Sequence, residues 1–258
     1  MSTSSAFARA KEEGRAALIG YLPAGFPDVE GSIKALEVMV DAGCDVIEIG
    51  LPYSDPVMDG PVIQAAVQQA LDGGVRIDDV FRVVEAVAAT GTPTLVMTSW
   101  NPVVRHGVER FAQRLYDVGG AGLITPDVTP DVVPDWIAAA DARDLDKVFL
   151  VAPSSTDERI AMTTASCRGF VYATGIMGVT GTTQATAAGV APLITRTRAT
   201  TQLPIGVGVG VSTRAQAADL SAHVDGVIVG TAFVRALADG LPALALLTED
   251  LAEGVRRA

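Results

Sequence analysis

Side chains able to do covalent or proton chemistry are few in this sequence, and their scarcity narrows what it can catalyse. Only Lys11, Lys34 and Lys147 could form a Schiff base. Lys11 lies in the leading segment, Lys34 in a helical stretch, and Lys147 at the amino end of an apolar run, so none suits a buried catalytic amine. His106 and His223 show neither HxH nor HExxH spacing, and no metal site is expected; both read as surface or capping residues. Cys44 and Cys167 stand apart without a CxxC pattern and read as buried free thiols, not as a disulfide framework.

Carboxylates remain. Glu48 interrupts the apolar run Val46-Ile47-Glu48-Ile49, where strand alternation sets it opposite Ile47 and Ile49. A carboxyl group turned into such surroundings is costly to ionise, so its pKa rises toward values useful for proton transfer. A structural ion pair with an arginine is the competing reading. Asp55 and Asp59 follow on a stretch bounded by prolines and Gly60, where aspartate equally serves as a turn former.

A second chemistry is anion binding. Gly206-Val207-Gly208-Val209-Gly210 before Ser212, Gly230-Thr231 before a short helix at 232–237, and Gly178-Val179-Thr180-Gly181 are glycine-rich turns. Such turns let backbone N–H groups approach a phosphate, and a helix N-terminus adds favourable partial charge. Each alone is equally explained as a tight turn. A dinucleotide GxGxxG would need glycine at Val211 or Thr213 and is excluded.

Apolar runs at 17–22, 45–51, 93–99, 122–126, 147–152, 169–174, 204–208 and 225–230 must position these groups. Stretches of helical spacing separate them, at 29–42, 108–118, 131–142, 158–166, 190–200, 212–222 and 241–257. Two helical stretches, 60–71 and 77–89, lie between the second and third runs. Repeated βα units in 258 residues fit one closed (β/α)8 barrel, a TIM barrel of the α/β class, better than an open doubly wound sheet. We expect a single domain over 1–258, with an extra N-terminal helix and an added helix in the second βα unit. Chemistry then belongs at the carboxyl ends of the strands, where Glu48 and the glycine turns fall.

With 19 basic and 30 acidic residues the net charge is -11, which disfavours nucleic acid and anionic membranes as partners. Lys11, Glu12, Glu13 and Arg15 interrupt the leading segment where a secretory signal needs an apolar run, so a cytoplasmic setting is expected.

The stretch Glu48-Ile-Gly-Leu-Pro-Tyr-Ser-Asp-Pro-Val-Met-Asp-Gly-Pro-Val-Ile-Gln64 resembles the signature of tryptophan synthase alpha subunits. The likeness continues through Tyr21-Leu-Pro-Ala-Gly-Phe-Pro-Asp28, Met97-Thr98 with Asn101-Pro102-Val103, Leu123-Ile-Thr-Pro-Asp127 and Gly178-Val-Thr-Gly181, and so spans essentially the whole chain. It departs at Gly175-Ile176-Met177, where many members carry an arginine, and at Ser99-Trp100, where aromatic pairs are frequent. The resemblance implies a lyase that cleaves indole-3-glycerol phosphate to indole and glyceraldehyde 3-phosphate in tryptophan biosynthesis. It implies catalytic roles for Glu48, Asp59 and Tyr172, and phosphate contacts from Gly181, Gly210, Gly230 and Thr231. It further implies an indole pocket lined by Tyr21, Leu123, Thr125, Thr180 and Val209. No cofactor is implied on this chain; pyridoxal phosphate is expected on a partner beta subunit in an alpha2beta2 heterotetramer. The loops after the second and sixth strands would face that partner, with Pro52, Pro56 and Met58 exposed. A stand-alone lyase releasing free indole and a catalytically silent phosphate-binding paralogue are the alternatives.

Overall fold

The structure, a computed structural model, describes residues 2–175 and 187–256. Eight strands are present: β1 Ala17–Pro23, β2 Val46–Gly50, β3 Thr94–Met97, β4 Gly122–Thr125, β5 Asp146–Val151, β6 Val171–Thr174, β7 Ile205–Gly208 and β8 Gly226–Val229. Each pairs in parallel with the next, and β8 returns to β1 to close the barrel. Around it lie α1 Thr3–Glu12, α2 Val29–Asp41, α3 Pro61–Asp72, α4 Ile77–Ala88, α5 Trp100–His106, α6 Val108–Asp117 and α7 Pro134–Asp141. The ring is completed by α8 Asp157–Ser166, α9 Ala187–Arg198, α10 Arg214–Ser221, α11 Thr231–Ala238 and α12 Leu241–Gly254. This is the expected (β/α)8 architecture, including the extra helices α1 and α3.

Strands of a parallel barrel are covered on both faces, which is why they read as nearly continuous apolar runs. Alternation divides them. Ala17, Ile19, Val46, Leu95, Ile124, Val148, Phe170 and Ile228 form the inner cluster, whereas Ile47, Ile49, Val96, Leu123, Val171 and Val227 pack with the helical shell. The helices present matching stripes: α2 buries Ser32, Ala35, Leu36 and Met39, and Asp28 caps it by accepting from the Gly31 N–H at 2.7 Å.

Helix α1 closes the amino-terminal mouth. Its Ala6, Phe7 and Ala10 join the inner cluster, and the Phe7 and Phe170 rings lie 5.2 Å apart. The buried Asp146 carboxylate holds the start of α1 by accepting from the Thr3 N–H and the Thr3 hydroxyl, both at 2.7 Å.

Several boundaries differ from the sequence reading. The segment after β3 holds two helices, because Gly107 adopts φ +97 and breaks α5 from α6. Helix α7 begins at Pro134 and not at 131: the residues Pro130–Val132 form a 3-10 turn, and Val133, preceding proline, is held out of the helical region. Cys44 is buried but Cys167 only half-buried. His106 is no surface cap; it is half-buried between Phe81 and Phe111, and burial lowers its pKa. Pro52 is buried and Pro56 half-buried, so of the three loop residues expected at the surface only Met58 is exposed. Among the described residues no helix is long and apolar enough to cross a membrane.

Candidate active site

A cavity of about 660 Å³ opens at the carboxyl ends of the strands. Inward positions on the strands supply its floor: Tyr21 from β1, Glu48 from β2, Met97 from β3, Leu150 from β5, Tyr172 from β6 and Ile228 from β8. Register explains the grouping, since Tyr21 is level with Glu48, and Leu150 with Tyr172. Glycines make room for the rings. A methyl group on Gly208 would lie 2.6 Å from the Tyr172 hydroxyl, and one on Gly50 would overlap the Tyr21 hydroxyl.

Glu48 is 1% exposed, and neither carboxylate oxygen has a hydrogen-bond partner among the described residues. Burial pushes its pKa up to about 8. Among the described residues no arginine pairs with it, so the ion-pair reading finds no support there. Asp59 lines the same cavity from the loop after β2 and is half-buried, with its pKa pushed up by burial to about 6. Its backbone carbonyl is held by the Gln64 side-chain amide at 2.7 Å, which ties the loop to the first turn of α3. Asp55 is separate: exposed, it accepts from the Ser54 hydroxyl at 2.7 Å and does not line the cavity. The Tyr21 pKa is raised chiefly by burial, then by the charges of Asp59, Glu48 and the neighbouring Tyr172. Tyr172 is raised likewise, by burial first and the Glu48 charge second. These four groups therefore share one low-dielectric space.

Across the cavity, the turns after β7 and β8 meet. Gly210, with φ +76, and Ser212 face Gly230 and Thr231 along one wall. Thr231 opens α11, and its N-cap residue Gly230 has no side chain with which to cap the helix, whose first residues line the cavity. Thr180 and Gly181 lie outside the described residues, as does most of the departure at 175–177.

The pocket residues on β4 and after β7 require correction. Leu123, Thr125 and Val209 do not line the cavity; Leu123 and Val209 pack with the helical shell. On β4 the inward position is Ile124, so Leu123 and Thr125 turn away, and Pro126 reaches the cavity instead. Both faces of β4 are apolar, so composition gave no parity. Sequence reasoning also missed Met97, Leu150 and Arg235 as cavity residues; counting alternate positions from Val148 could have found Leu150.

The family model described as tryptophan synthase alpha chain matches residues 7–256. The chain belongs to the tryptophan synthase alpha chain family. Proteins so named from Nocardia farcinica and Salinispora tropica are 55% and 58% identical, covering 99% and 97% of this chain and 96% of each relative. A solved structure of Mycobacterium tuberculosis tryptophan synthase matches with a TM-score of 0.95 at 51% identity, covering 99% of this chain and 98% of that one. Family membership makes the chain the alpha component of a tryptophan synthase, a lyase of tryptophan biosynthesis.

Proposed function

We propose that Glu48 and Asp59 are the acid and base of indole-3-glycerol phosphate cleavage, acting on an indole ring whose phosphate tail rests at Gly210, Gly230 and Thr231, with Gly181 as a further contact. The observation that carries this reading is Glu48, a buried carboxyl group without a partner that shares its cavity with Asp59 and an uncapped helix start.

Their pKa values divide the labour. Near pH 7, Glu48 at about 8 holds a proton and Asp59 at about 6 has lost one. Glu48 delivers its proton to indole C3 while Asp59 takes the ring N–H proton, giving an indolenine. The Glu48 carboxylate then removes the glycerol hydroxyl proton, the C–C bond breaks as the aldehyde of the triose forms, and its electrons return to the ring. Asp59 gives its proton back to the nitrogen, so indole leaves and both groups are reset. Tyr172 packs the ring beside Glu48, and Tyr21, Met97, Leu150 and Pro126 provide its apolar walls. Thr180 belongs to the same pocket in this proposal.

The remaining assignments are proposed with it: a chain acting as one barrel domain in the cytoplasm, no cofactor of its own, and a beta subunit carrying pyridoxal phosphate in an alpha2beta2 assembly. Val57, 71% exposed, and Met58, 38% exposed, sit on the loop that carries Asp59 and suit a covered surface. Asp59→Asn should slow indole release from indole-3-glycerol phosphate by about 100- to 10,000-fold. In the wild type, kcat/KM should climb until pH passes about 6 and decline above about 8. A near-wild-type rate for Asp59→Asn would overturn the mechanism.

A further inference from the structure

The phosphate wall described so far is built from backbone, yet a cation stands on the same helix. Arg235 lines the cavity together with Thr231, and its side chain is exposed. Thr231 and Arg235 are four residues apart on α11, hence on one face. Helical side chains lean toward the N-terminus, which carries a long guanidinium at 235 back toward the first turn, whose residues Thr231 and Ala232 line the cavity. No ion pair engages Arg235 among the described residues, although nine other arginines are paired. Asp239, one turn further on, also lines the cavity. The same lean carries Asp239 toward Arg235 and leaves the arginine as the charge nearer the helix start.

We infer that Arg235 is a specificity-determining residue that selects the phosphorylated substrate by charge, supplementing the backbone cradle. The inference rests on the phosphate placement proposed above. A guanidinium at the solvent-exposed rim acts in high dielectric, which limits its contribution and makes it sensitive to salt. It touches no reacting bond, so it should alter substrate capture and leave the chemical step alone.

The test compares indole release from indole-3-glycerol phosphate and from its unphosphorylated analogue, indole-3-glycerol, for wild type, Arg235→Gln and Arg235→Lys. At low salt Arg235→Gln should raise KM for the phosphorylated substrate about three- to tenfold, with kcat within about twofold and KM for the analogue unchanged. Arg235→Lys should restore most of the loss, and added salt should shrink the difference. A KM that stays at the wild-type value at low salt, or that rises equally for both substrates, overturns the role of Arg235. A wild type that shows no preference for the phosphorylated substrate would instead remove the cradle itself, and the arginine's role with it.

Discussion

The two ends of the barrel each bury carboxylates, and they treat them in opposite ways. At the closed end, Asp146 is fully buried and accepts from Ser2 and Thr3, while Asp45, 4% exposed, takes a two-pronged contact from Arg15 at 2.5 and 2.8 Å and the Leu18 N–H at 2.9 Å. At the open end, Glu48 is as deeply buried and takes none among the described residues. A buried carboxylate with its acceptor sites filled fastens chain to chain. One with them empty is costly to the fold and free to receive a proton or a ligand, and that freedom is what a catalyst needs.

The largest effect should come from removing the unpartnered group. Glu48→Gln keeps the shape but cannot cycle a proton, and kcat for indole release should fall by about 100- to 10,000-fold. Stability should move the other way. Because burial raises the Glu48 pKa, the native state holds its proton more tightly than the unfolded chain does. The contribution is complete below the ordinary value of 4.5 and is lost as pH rises through about 8. Glutamine has no such titration, so the variant should gain on wild type across that window, by on the order of 2–4 kcal/mol above it. Denaturant unfolding of both proteins at several pH values checks this. A variant that is less stable than wild type at high pH would mean that the carboxylate is structural after all.

The partnered group should give the reverse pattern at a smaller scale. Asp146→Ala strands the Thr3 N–H and hydroxyl, releases the start of α1, and should cost roughly 2–4 kcal/mol of stability. Turnover per folded molecule should stay within about twofold, because α1 lies at the mouth opposite the cavity. Thermal unfolding and active-site-normalised kinetics measure the two quantities separately. A proportionate fall in turnover of the folded fraction would show that the ends are coupled and break the contrast.

That contrast was partly legible in the residues. Glu48 could be read because one acidic side chain in an apolar strand leaves little else to explain it, and the glycine turns because their spacing locates strand ends. The barrel itself was legible from eight apolar runs with helical spacing between them. Parity was not: β4 is apolar on both faces, so Leu123 and Ile124 are indistinguishable until the strand is placed in the barrel. Nor was the partnering of Asp45 and Asp146: Arg15 meets Asp45 where β1 pairs with β2, and Thr3 reaches Asp146 from 143 positions away at the start of α1. Arg235 escaped notice because one arginine on an amphipathic helix reads as solvated surface.

The smallest effect isolates which property matters, position at the open end or the lack of a partner. Asp55 is the discriminating residue, for it belongs to the same loop as Asp59 yet is exposed and already accepts a hydrogen bond from Ser54. If nearness to the cavity were sufficient, Asp55→Asn would slow the isolated chain appreciably. If burial without a partner is what creates a catalytic carboxyl group, the substitution should leave kcat and KM of the isolated chain within about twofold and change stability by less than about 0.5 kcal/mol. Asparagine retains the turn-forming geometry and can still accept from the Ser54 hydroxyl, so only the charge is altered. A loss approaching that expected for Asp59→Asn would therefore place the decisive feature in the loop's charge and not in the desolvation of its individual members.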